Sequence, residues 1–83
     1  MKKVKVYVTL KEGVLDPQGK AVEGAMHRLG YPEASGVRIG KFIEFAMTDD
    51  ACSDQNIREL CEKLLANTVI EEFRYEVEEV TSP

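Results

Sequence analysis

The sequence predicts an α+β fold: a two-layer sandwich with two helices on one face of a largely antiparallel sheet of three to four strands, on a doubled β-α-β plan. Three observations predict it. Residues 3–10 alternate strictly between apolar and polar side chains, residues 57–65 carry an apolar stripe at helical spacing, and residues 72–78 alternate again. At 83 residues the chain is read as one domain, 1–83. A chain of this size buries only about 60–65% of its unfolded surface, which limits its stability to about 4–12 kcal/mol. So small a core leaves little apolar area to enclose a deep active site, and favours partners or self-association.

The first strand is KKVKVYVTLK, with Val4, Val6, Val8 and Leu10 on one face and Lys3, Lys5, Tyr7 and Thr9 on the other. Next, DPQGKAVEGAMHRLG sets Asp16 as N-cap, Pro17 as first helical residue and Gly30 just past the end, which predicts a helix over 17–29. Its inward stripe is Ala21, Val22, Ala25, Met26 and Leu29. GVRIGKFIEFAM reads as a second strand over 36–47, with Val37, Ile39, Ile43 and Phe45 on one face and Arg38, Phe42 and Glu44 on the other. Gly40 in its middle predicts a bulge, bend or tight turn. In NIRELCEKLLAN, Ile57, Leu60, Cys61, Leu64 and Leu65 form the stripe of a second helix, capped by Ser53 or Asp54 and leaving through a left-handed Asn67. The last strand, 68–80, sets Phe73, Tyr75 and Val77 against a mostly acidic outer face of Glu72, Arg74, Glu76 and Glu78.

With the helices on one face, the other carries Lys3, Lys5, Tyr7, Phe42, Arg74, Glu76 and Glu78. Neighbouring first and last strands would pair lysine with glutamate across the sheet, each pair contributing about 0.2–1 kcal/mol. Tyr7 and Phe42 have no such solvated role, so this face, or a sheet edge, is expected to be a surface for self-association.

Charge and composition exclude several function classes. The net charge of −4 argues against a nucleic-acid binder, which needs a basic patch to replace phosphate counterions. Residues 1–41 hold 8 Lys/Arg and 4 Asp/Glu, and residues 42–83 hold 3 and 11, an asymmetry read as complementary charge on neighbouring strands. No apolar run is long enough to cross a membrane, and the basic start leads into an alternating strand rather than a signal-peptide core. Cys52 and Cys61 fit neither a disulfide framework nor a zinc site. A reduced, cytoplasmic chain is expected.

Gly13 to Lys20 ends in Gly-Lys and invites comparison with a phosphate-binding loop. The Walker pattern needs four residues between its glycines and a hydroxyl after the lysine; here five intervene and Ala21 follows. Asp16 puts its own carboxylate at the positive helix end, and Pro17 removes a donor. The stretch is therefore a capped strand-to-helix connection. Val14 and Leu15 within it either staple onto the helix or present a contact patch. His27 reads as a capping or surface residue, Cys61 as core, and Cys52, among acids, as a poor nucleophile. Asp49, Asp50 and Asp54 lack the glycine and distal glutamate of a calcium loop. No acid, base and nucleophile converge, so no catalytic, cofactor-binding or metal-ligating residue is assigned.

VYVTLKEGVLDPQGKAVEGAMHRLGY, VRIGKFIEF and CEKLLANTVIEEF, in this order and spacing, closely resemble the PurS family, small subunits of phosphoribosylformylglycinamidine synthase. The most distinctive part is Gly13 to Gly19, followed by Leu29-Gly30-Tyr31 and Gly40-Lys41-Phe42. Thr68 departs from the proline common in the family after Leu-Ala-Asn. The resemblance implies a role in purine biosynthesis: a non-catalytic bridge, as homodimer or homotetramer, between a large synthetase subunit and a glutaminase subunit, supporting ammonia transfer. It implies no cofactor in this chain, with ATP and Mg used by the complex, and neither nucleic-acid nor membrane partners. Interface anchors are placed at Tyr7, Val14, Leu15 and Phe42, with Lys11, Lys20 and Lys41 steering toward acidic surfaces. The alternative is a small-molecule-sensing regulatory module of βαββαβ plan. A minimal hydrolase of acylphosphatase type would need an arginine-bearing anion loop after the first strand, where this chain has Glu12 and Asp16.

Overall fold

The computed structural model describes residues 1–79; Val80, expected to end the last strand, lies outside them. The order is β1 (Lys2–Leu10), α1 (Pro17–Arg28), β2 (Gly40–Met47), α2 (Asp54–Leu60) continuing into a π-helical turn (Cys61–Leu65), and β3 (Glu71–Glu79). The architecture is the α+β class expected, with two helices and a three-stranded antiparallel sheet in the order β2-β1-β3. The central strand is the most strictly alternating segment, and Val4, Val6 and Val8 are fully buried. Register makes rows across the inner face, Phe45-Val4-Val77 and Ile43-Val6-Tyr75.

Topology decides what covers that face. β2 and β3 both run antiparallel to β1, hence parallel to each other, so the β2-α2-β3 connection must cross over β1. It carries Ile57 and Cys61 onto the valines, and Ala66 closes the buried cluster. Burial pushes the Cys61 thiol up from its ordinary range. The β1-α1-β2 connection instead joins antiparallel neighbours and leaves and re-enters the sheet at one end, since Thr9 pairs with Gly40. It needs no crossover, and α1 supplies no side chain to the buried cluster.

Local sequence sets the helix ends as expected. Asp16 Oδ1 accepts the Gly19 N–H (2.9 Å) and Pro17 opens α1. Past the end of α1, Gly30 takes φ +105°, a left-handed conformation that favours glycine. Ser53 Oγ caps α2 through the Asn56 N–H (3.1 Å).

Several local expectations are corrected: the stripe of α1 is not inward, since Val22 and Leu29 are exposed, and residues 68–70 form a turn ahead of β3. Residues 37–39 lie outside β2, because Asp16 Oδ2 takes the Ile39 N–H (2.8 Å) and Glu23 Oε1 takes that of Val37 (3.3 Å). Gly40 thus opens the strand instead of interrupting it. Leu64 is 75% exposed, since the wider turn closed by the Ala66 N–H on the Cys61 carbonyl (2.8 Å) rotates it outward and buries Ala66 instead. Asn67 is not left-handed; the chain leaves the turn through an extended Ala66. The Asn67 side chain instead accepts the Val69 N–H (3.1 Å) in a local turn.

Candidate subunit interface

The uncovered sheet face is built by β1 and its two partners, in rows Ala46-Lys3-Glu78, Glu44-Lys5-Glu76 and Phe42-Tyr7-Arg74. Lys3 pairs with Glu44 at 2.6 Å, and Lys5 pairs with Glu78. That hydrogen bond holds the Glu78 carboxyl below its usual range and raises the Lys5 ammonium. Such exposed pairs are screened by solvent, so they set register more than stability. The third row is different in kind. The Tyr7 and Phe42 rings lie 5.1 Å apart, tilted by 32°, and the Arg74 guanidinium sits 4.2 Å from the centre of the Tyr7 ring. Phe42 is 51% exposed. The guanidinium covers one face of Tyr7 and leaves Phe42 as the exposed apolar group of the row, a surface that suits a partner's apolar anchor better than water.

The second cluster lies at the β1-α1 loop. Val14 and Leu15 are exposed, Leu15 at 70%, with Lys11 and Lys20 beside them around a shallow depression that also includes Arg38. No hydrophobic staple forms, because the position that should meet Leu15 on the first turn of α1 is Lys20. Both side chains are left on the surface. Asp16 closes the phosphate-loop question: both of its oxygens are occupied by backbone N–H groups of the chain itself. The Ile39 N–H, then that of Gly19, holds its carboxyl below the ordinary range.

Of the seven interface candidates, the structure brings Tyr7 together with Phe42, and Lys11 with Val14, Leu15 and Lys20. Lys41 lines the depression beside the aromatic row, but its ammonium is engaged within the chain. Its ammonium donates to the Leu65 carbonyl (3.3 Å) and lies 3.7 Å from Glu71, tying β2 to the end of the π turn. Arg38 was missed as a candidate, and Arg74, placed on the expected face, was not singled out. Arg38 lines the depressions at both clusters, so the aromatic row and the loop form one continuous strip. The signal for Arg74 was the strand order, because it meets Tyr7 only if β1 and β3 are neighbours.

The groups that could have done chemistry are otherwise engaged. His27 Nε2 donates to the Ala34 carbonyl (2.7 Å), Asp54 binds Arg58 and the Tyr75 hydroxyl, and Asp49 pairs with the N-terminal amine (3.0 Å). Among the described residues, no three His, Cys, Asp or Glu side chains converge on one point. The fold and its surfaces define a small α+β domain with an open aromatic sheet face and, on the adjoining loop, exposed apolar side chains among lysines and carboxylates.

The comparisons with known proteins give that class a family. The family described as PurS, phosphoribosylformylglycinamidine (FGAM) synthase, matches residues 3–79, and the chain belongs to it. The phosphoribosylformylglycinamidine synthase subunit PurS of Bacillus subtilis is 59% identical over 83 residues, 99% of each chain. The subunit of the same name from Synechocystis is 47% identical over 88% of this chain and 75% of that one. Among solved structures, Bacillus subtilis PurS superposes with a TM-score of 0.86 at 60% identity, covering 95% of this chain and all of that one. A chain of the Thermotoga maritima PurLQS structure gives a TM-score of 0.77 at 25% identity, over 93% and 96%.

Proposed function

We propose that this chain is the bridging subunit of the FGAM synthase of purine biosynthesis, holding the ATP-dependent synthetase subunit and the glutaminase subunit so that ammonia passes between them before escaping to water. The observation that carries the reading is the exposed strip from Phe42 and Tyr7 through Arg38 to Leu15, on a chain that belongs to the PurS family. Support comes also from the likeness to a chain of the Thermotoga maritima PurLQS structure, a complex of PurS with other FGAM synthase subunits. Apolar anchors in that strip supply binding energy, while Lys11, Lys20 and Arg38 around it favour acidic partner surfaces and speed encounter. Bond-making stays with the neighbours, which use ATP and Mg; this chain supplies shape and adhesion, as a homodimer or homotetramer in the cytoplasm.

The test is assembly. The synthetase and glutaminase subunits are mixed with and without this chain and their mass is followed by analytical ultracentrifugation. A three-component particle is expected only when the chain is present. A synthetase-glutaminase particle of equal stability without it would overturn the bridge.

A further inference from the structure

We infer that the cleft beside the aromatic row binds a nucleoside monophosphate, its base packed on Phe42 beside Tyr7 and its phosphate held by Arg38 and Arg74. The site lies within one chain and does not depend on the bridging role.

Register builds the cleft. The row next to Phe42-Tyr7-Arg74 on the open face is Gly40-Thr9-Glu72. Gly40 carries no side chain, and a Cβ there would press on the Val8 carbonyl, so the position stays bare. The side chain of Thr9 is short, and the floor therefore drops beside the two rings. Arg38, just ahead of β2, comes within 3.9 Å of Glu72 on β3 and forms the opposite wall. Together they enclose about 580 Å³, within the range of small-molecule sites. Rows two residues apart lie about 7 Å from each other along the strands. A planar ring in van der Waals contact on both faces needs about 7–8 Å. One base fits between the rings and the Arg38-Glu72 wall.

Charge selects the anion. Elsewhere on this face the basic side chains are closely paired, Lys3 with Glu44 at 2.6 Å and Lys5 with Glu78. The two arginines at the cleft are not. Arg38 stands 3.9 Å from Glu72, and Arg74 stands 3.6 Å from Glu76, both beyond the reach of a hydrogen bond, about 2.7–3.2 Å. Arg74 is held in place over the Tyr7 ring instead. Two guanidiniums with donors to offer, on a chain whose net charge is −4, match a phosphate, which takes guanidinium forks in pairs of parallel hydrogen bonds. Glu72 also lines the cleft, and a carboxylate there suits ribose hydroxyls, which a simple aromatic acid lacks.

Isothermal titration calorimetry of the full chain with adenosine monophosphate (AMP), adenosine and inorganic phosphate tests the site. AMP is expected to bind about tenfold or more tightly than either of the others, because only AMP engages both the ring and the arginines. Phe42→Ala should weaken AMP and adenosine about tenfold and leave phosphate unchanged. Arg38→Gln should weaken AMP and phosphate and leave adenosine unchanged. Both side chains are exposed, so neither variant threatens the fold. No AMP binding at millimolar concentration, AMP no tighter than phosphate, or variants with unchanged AMP affinity would each overturn the site. No partner subunit is present, so the bridging role is untouched by any of these results.

Discussion

Gly19 and Gly24 both lie in α1, and replacing each by alanine should move stability in opposite directions. A helical glycine with room for a Cβ, replaced by alanine, normally gains up to about 1 kcal/mol, through lower backbone entropy in the unfolded chain. Gly24 is such a site, because an added Cβ would meet only the tip of Arg28 at 3.5 Å, ordinary contact with a flexible side chain. At Gly19 the same methyl would press on the Val37 backbone carbonyl and come within 2.9 Å of Asp16 Oδ2. Neither is a free end: the carbonyl belongs to the segment leading into β2, and the carboxylate holds both the Gly19 and Ile39 N–H groups. Overpacking of this kind costs about 1–3 kcal/mol. Urea unfolding of wild type, G19A and G24A at one protein concentration should rank G24A most stable and G19A least, with about 1–3 kcal/mol or more between the variants. In thermal melts a gap of 1 kcal/mol is about 4–8 °C for a domain of this size. Equal stabilisation by the two alanines would refute the claim that α1 is anchored to the returning segment, and with it the reason why α1 stands away from the sheet.

Acid should loosen the same anchor. The Asp16 carboxyl titrates lower folded than unfolded, so its contribution is complete above the ordinary carboxylate range near pH 4 and disappears as pH falls through its lower folded value. D16N lacks this titration, so its stability deficit against wild type, present at pH 7, should shrink below about pH 4 in paired denaturation curves; a deficit independent of pH would contradict the assignment. Leu15→Asp places a charge on the exposed loop patch and should weaken assembly with the partner subunits at least tenfold in titrations by light scattering, while circular dichroism of the isolated chain stays that of wild type. Unchanged assembly would remove Leu15 from the interface.

Much of this was legible in the residues. Strict alternation in β1 marked the central strand, and Asp16-Pro17, Gly30 and Ser53 fixed three helix ends, because caps are local chemistry between residues two to four apart. The start of β2 was not legible, since its upstream N–H group is taken by a carboxylate 23 positions earlier in the chain. Apolar spacing cannot distinguish an α turn from a π turn at the end of α2, so Leu64 read as core although it faces out. Tyr7 and Phe42 were singled out because aromatics on a solvated face have no bland role, and the register does set their rings side by side. Arg38 was not, and Arg74 was placed on that face without its contact to Tyr7, because both depend on neighbours supplied only by the folded sheet and loop.

The most direct measurement compares glutamine with free ammonia as nitrogen source for the reconstituted synthetase and glutaminase, with and without this chain. The account predicts that omitting the chain abolishes the glutamine-dependent reaction and leaves the ammonia-dependent one largely intact. Glutamine-dependent turnover that persists undiminished without the chain would contradict it.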